Sequence, residues 1–142
     1  MSKRIFKQNG IMFSKSTDHY TTPQSIYSQL HKEFRFTYDP CPLHSVVDTL
    51  VISKKWGIRV FVNPPYSNIT GFLEKARQEM QKGHTELAVF LVPARTDTKW
   101  FHEYVLNKAT IRFIKGRLKF GDSKNSAPFP SMVLVYKKEV LI

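Results

Sequence analysis

Residues 87–93, Leu-Ala-Val-Phe-Leu-Val-Pro, limit what this chain can fold into more than any other stretch. Six apolar residues stand in a row and a proline ends them. A strand of that composition has no face for water, so it belongs inside a sheet covered on both sides. Its surroundings supply the covers. Upstream, NITGFLEKARQEMQKG places Ile69, Phe72, Leu73, Ala76 and Met80 on one helical face, with Gly83 to end the helix. Before that, RVFVN alternates as a strand and stops at Pro64. Downstream, TKWFHEYVLN reads as a helix that Thr96, Asp97 or Thr98 can cap, and its Trp100, Phe101, Tyr104 and Val105 read as core. TIRFIKG and SMVLVYK read as strands, with RLKF a short extended piece between them. Near the start, TTPQSIYSQLHKEF reads as an amphipathic helix with Pro23 in its first turn, and FRFTYD as a strand; residues 40–57 fit loop, helix or strand equally. This order predicts one compact α/β domain over 20–142, a mostly parallel sheet closed by an antiparallel strand, preceded by a flexible basic arm over 1–19.

The function classes narrow from charge and cysteine count. Twenty-two Lys and Arg against eleven Asp and Glu give a formal charge of +11, which favours a polyanionic partner, a nucleic acid above all. Cys41 is the only cysteine and the five histidines lack ligand spacing, so no metal site is expected. No apolar run approaches the length that spans a bilayer and no secretory signal is evident, so the expectation is a cytoplasmic protein without membrane contact.

In open α/β sheets ligands bind beyond the carboxyl ends of the strands. Three such ends stand out here: Asp39-Pro40-Cys41-Pro42, Asn63-Pro64-Pro65-Tyr66 and Pro93-Ala94-Arg95-Thr96-Asp97. In the second, two prolines stiffen the backbone, so the Asn63 carboxamide and nearby carbonyls become fixed acceptors beside the flat ring of Tyr66. That pattern suits an exocyclic amino group on a planar base. The plainer alternative is a proline-terminated strand whose Asn63 caps a turn. Asp39 likewise either caps a turn or serves a ligand. Arg95 can meet phosphate, base or cofactor, while Asp97 suits an N-cap. Lys115, Arg117 and Lys119 alternate through KGRLKF and form a basic strip if that segment is extended, with Lys124 in the polar loop beside it; a lysine-guarded edge strand is the competing explanation.

TTPQSIYSQL, FRFTYDPCP, RVFVNPPYSN, FLEKA, LVPARTDTKWFH, FIKGRLKF and APFPSMVLVY, in this order, resemble the phage-type DNA N6-adenine methyltransferase (Dam-like) family from Tyr20 to Lys137. The resemblance implies a Rossmann-like, S-adenosyl-L-methionine-dependent methyltransferase acting on adenine N6 in double-stranded DNA, in a bacterial host cytoplasm if phage or prophage encoded. It assigns base recognition and catalysis to Asn63, Pro64, Pro65 and Tyr66. It assigns cofactor binding to Thr22, Pro23, Asp39, Pro40 and Cys41, and the DNA backbone falls to Arg95, Lys115, Arg117, Lys119 and Lys124. One departure stands against methyltransferases at large. No glycine occurs between Gly10 and Gly57, so the usual glycine turn at the cofactor is missing, and Asp48 is the nearest acidic residue downstream. Two alternatives remain open: a non-catalytic DNA-binding relative, or an amino methyltransferase for RNA or cytosine.

Overall fold

A computed structural model describes residues 21–41, 54–120 and 126–138. The predicted basic arm over 1–19, together with Pro42, Asp48 and Lys124, lies outside these residues. Helix α1 spans Gln24–Phe34, strand β1 Arg59–Val62, helix α2 Ile69–Gln81, strand β2 Leu87–Pro93, strand β3 Thr110–Phe113 and strand β4 Ser131–Lys137. The sheet order is β1-β2-β4-β3.

β1 and β2 pair in parallel, whereas β4 runs antiparallel to both β2 and β3. Two of the three ladders are therefore antiparallel, which corrects the expectation of a mostly parallel sheet. The reason is position. The reversed strand sits between β2 and β3 instead of at an edge, so it breaks two parallel pairings while β1, β2 and β3 still share one direction. FRFTYD, expected as a strand, contributes a single parallel bridge from Tyr38 to Val60. Arg35 takes up the start of that run by ending α1 in the left-handed region at φ 55°. Pro40, which has no N–H, follows soon after. Between them Thr37 exchanges backbone and hydroxyl hydrogen bonds with Arg59.

β2 is buried along its whole length, as six apolar residues in a row require. Val60, Val62, Ala88, Phe90, Val92, Met132 and Leu134 meet α2 on one face. Phe61, Leu87, Val89, Leu91, Val133 and Val135 meet Leu30 and Phe34 of α1, with Phe120 and Phe129, on the other. Helix α2 begins where Asn68 Oδ1 accepts the Gly71 N–H at 3.2 Å. A Cβ at position 71 would stand 2.4 Å from that oxygen, so any other residue there would require the Asn68 side chain to shift. Gly83, at φ 81°, follows the helix. The predicted helix after β2 is a π-helical turn over Phe101–Val105, and Thr98, not Asp97, accepts the Phe101 N–H that opens it.

At the back of the sheet, away from the carboxyl ends of β1 and β2, the Glu79 carboxylate is buried. Its Oε1 accepts the Trp56 N–H at 2.7 Å and faces His84 Nδ1 at 3.1 Å, while Oε2 meets Lys75 Nζ at 3.1 Å. Burial pushes this carboxyl up, but the Trp56 N–H, His84 and Lys75 outweigh it and bring it down to about 2. Because the folded value lies below the ordinary 4.5, the stability it contributes is complete above about pH 4.5 and drains away as pH falls toward 2. Glu79→Gln should cost about 3 kcal/mol at pH 7, the scale of a broken buried ion pair. Urea melts across that acid range should also show a shallower loss of stability in the variant than in the wild type.

Candidate active site

Parallel pairing decides where the three unusual strand ends go. The Tyr38 bridge, β1 and β2 point the same way, so Asp39, Asn63 and Arg95 emerge along one rim. Asn63 follows the last residue of β1 and is 1% exposed. Its Nδ2 donates to Thr22 Oγ1 at 2.9 Å, a contact that crosses 41 positions of sequence. Pro64 and Pro65 are also buried, and Pro65 is extended at φ −62°, ψ 139°. The Pro65 carbonyl accepts the Asn68 N–H and closes a 3-10 turn over Tyr66–Asn68. The stiff tetrapeptide thus leads directly into the capped start of α2.

Thr21, Thr22, Gln24, Tyr27, Asp39, Cys41 and Asn63 line a cavity of about 170 Å³ at this rim. Asp39 Oδ1 accepts the Cys41 N–H at 2.8 Å, so the turn-capping role foreseen for Asp39 is real, and the same carboxylate also faces the cavity. Burial raises its pKa to about 6 against the pull of that single N–H. Burial also pushes the Cys41 thiol up, with the Asp39 charge adding to the effect, so the thiol stays protonated. Pro23 precedes α1, where its carbonyl accepts the Tyr27 N–H at 3.1 Å, and Pro40 is buried next to Asp39.

Beyond the cavity, the rim carries aromatic contacts. Tyr66 meets Phe129 edge-on at 5.3 Å, and the Arg95 guanidinium lies over the same Phe129 ring at 5.8 Å. Backbone pairing sets this arrangement, because the Ala94 N–H donates to the Pro130 carbonyl at 2.8 Å. Lys115, Arg117 and Lys119 are exposed, while Leu118 is half-buried and Phe120 buried. The segment lies outside any strand and bends at Gly116, φ 76°, between Lys115 and Arg117, so it is not the continuous extended strip that alternation suggested. Two residues of the site escaped sequence reasoning. Tyr27 carries the helical spacing of a core residue, and Phe129 sits in a proline-rich loop; only the topology brings them to the rim. A larger cavity of about 690 Å³ lies elsewhere, among Arg77, Tyr104 and Tyr136 near the end of β4 that pairs with the start of β2.

Residues 11–139 match the family described as DNA N-6-adenine-methyltransferase (Dam). The chain belongs to that family. A DNA N-6-adenine-methyltransferase of Escherichia phage T1 is 29% identical over 112 residues, covering 71% of this chain and 46% of the relative. The chain therefore spans just under half the length of the curated relative it matches. No solved structure matches it. Within this Dam family member, no helix of the described residues is long and apolar enough to cross a membrane.

The raised Asp39 pKa fixes the sign of a stability effect. A carboxyl at about 6 in the folded chain, against an ordinary 3.8, binds its proton more tightly when folded. Its charge therefore costs stability above about pH 6, and the cost vanishes as pH falls toward 4. Asp39→Asn should stabilise the ligand-free protein at pH 7.5 by up to about 3 kcal/mol and leave it unchanged at pH 4. Denaturant melts at the two pH values compare the variants directly.

Proposed function

We propose that this chain transfers a methyl group from S-adenosyl-L-methionine to the N6 amino group of adenine in double-stranded DNA. The domain we assign to the reaction is 20–142, with a Rossmann-like methyltransferase core. The observation that carries this proposal is the buried Asn63 amide, anchored by Thr22 in the same cavity as Asp39. Three segments distant in sequence meet there, which is more than the termination of a strand requires.

The donor set suits the cofactor. Asp39 is a half-buried carboxylate whose only hydrogen bond among the described residues is the Cys41 N–H, and it would be relieved by a ligand rich in hydroxyl or ammonium donors. Thr22, Pro23, Asp39, Pro40 and Cys41 would hold that end of the molecule. A cavity of about 170 Å³ is smaller than the ~300 Å³ at which small-molecule pockets begin. It therefore takes a part of the ligand. S-adenosylmethionine, when bound, supplies a methyl carbon made electrophilic by a sulfonium sulfur that keeps the bonding pair.

The protein's part is positioning. In this reading Thr22 holds the Asn63 Nδ2, and the Asn63 carboxamide oxygen accepts the adenine amino group. The Pro64 carbonyl is the second acceptor. Two acceptors on the adenine amino group draw its nitrogen toward a pyramidal geometry with an available lone pair, and Tyr66 stacks on the extruded base. The surplus proton leaves the nitrogen for water after transfer, so the site works without a side-chain base. Arg95, Lys115, Arg117, Lys119 and Lys124 hold phosphates and set the register of the duplex.

Nucleoside mass spectrometry of unmethylated plasmid DNA treated with enzyme and cofactor should reveal N6-methyladenine with the wild type. Asn63→Ala should lower the yield at least a hundredfold while the fold persists. N4-methylcytosine, or methylated RNA alone, would replace the substrate assignment. Calorimetry gives a second check. Affinity for S-adenosylmethionine should fall about tenfold per pH unit below about 6 as Asp39 protonates, and Asp39→Asn should lack that dependence.

A further inference from the structure

Nine phenylalanines lie among the described residues, and eight of them, at 34, 36, 61, 72, 90, 101, 120 and 129, are no more than 8% exposed. The ninth, Phe113, is 69% exposed. A benzyl side chain left in water at that level forgoes the burial that every other described Phe achieves. Among the described residues two other large apolar side chains are exposed, Ile58 and Leu106. They precede β1 and β3 and so sit at the back of the sheet. Phe113 is the last residue of β3, level with Met132, which is level with Val92 at the end of β2. It stands on the rim that carries Asn63.

The mounting is rigid. Phe113 closes the β3–β4 ladder, the Ile114 N–H donates to the Ser131 carbonyl at 3.2 Å, and Gly116 turns the chain away. On β3, Ile111 packs into the core that includes α2, and Arg112 on the opposite face is held by Glu33 at 2.6 and 2.7 Å. The ring of Phe113 meets no other aromatic ring among the described residues. Lys115, Arg117 and Lys119 follow it, all exposed and none in a salt bridge among the described residues. Three exposed cations beside the ring repel a second copy of this strongly basic chain. It suits a polyanion whose interior is apolar and stacked.

We propose that Phe113 enters the base stack of the bound duplex beside the target adenine, separating it from its neighbour and filling the space that the extruded base leaves. This rests on the methyltransferase assignment above and adds a residue that acts on the DNA instead of on the amino group. The spacing agrees. β1 and β3 are three strand intervals apart, about 14 Å at ~4.8 Å each, of the order of the ~12 Å width of the major groove. Asn63 can therefore receive the base while Phe113 stays in the stack it left. Apolar wedges of this kind unstack a base step and kink the duplex.

The experiment uses the full chain and duplexes containing the target sequence mapped from wild-type methylation. Phe113→Ala should lose at least tenfold in kcat/KM on the fully paired duplex. It should recover to within about threefold of wild type when the target adenine faces an abasic site, because the base is then already loose. Phe113→Trp should retain activity on both. An equal loss on both duplexes, or no loss on the paired one, overturns the proposal. A change in sedimentation without a change in methylation does so too, and makes Phe113 a contact between copies. Wild-type protein that yields no N6-methyladenine on any DNA sinks the methyltransferase assignment separately. Phe113 is then judged by binding: a wedge predicts weaker affinity of Phe113→Ala for the paired duplex only, and equal affinities of variant and wild type overturn it.

Discussion

The Glu79 carboxylate is the interaction on which the arrangement of this fold depends. One buried group holds the Trp56 backbone before β1, His84 in the turn before β2 and Lys75 on its own helix. Trp56 in turn stacks on Phe72 of α2 at 6.3 Å. The back end of α2 is thereby fixed to the starts of both parallel strands. With the back fixed and the helix rigid, the front has little freedom: Asn68 caps α2 at the other end, and the five residues 63–67 must span from the end of β1 to that cap. A buried ion pair gains little by itself after desolvation. Its value here lies in joining three segments at one point.

Much of this architecture could be read from side-chain periodicity. The apolar run at 87–93 gave a strand buried on both faces, and the spacing of Ile69, Phe72, Leu73 and Ala76 gave the buried face of α2. Sheet order was harder, because SMVLVYK carries the same alternation whether it pairs at an edge or between two strands. Its place in the middle follows from long-range packing, to which residue alternation is blind. FRFTYD failed for a local reason: Arg35 in the left-handed region uses up residues that the alternation had assigned to a strand.

The site was legible in a different way. The two prolines after Asn63, and the proline after Asp39, marked places where the backbone stops hydrogen bonding to neighbouring strands and side chains take over. What could not be read was which residues from elsewhere would complete those places. Tyr27 belongs to a helix whose spacing explains it without a ligand, and Phe129 belongs to a loop with no periodicity. Both reach the rim because α1 lies over one face of the sheet and because Pro130 pairs with Ala94. The missing glycines near Asp39 stood against a cofactor role for that turn, whose half-buried Asp39 lines the cavity.

The Thr22–Asn63 hydrogen bond makes the most sensitive side chain of the rim depend on a residue 41 positions earlier. For anyone trimming the basic amino terminus to improve expression, the safe boundary is set by that hydroxyl. A cut a few residues too far would leave helix and sheet in place while releasing the Asn63 amide, so a shortened protein could pass every test of foldedness with that side chain no longer held.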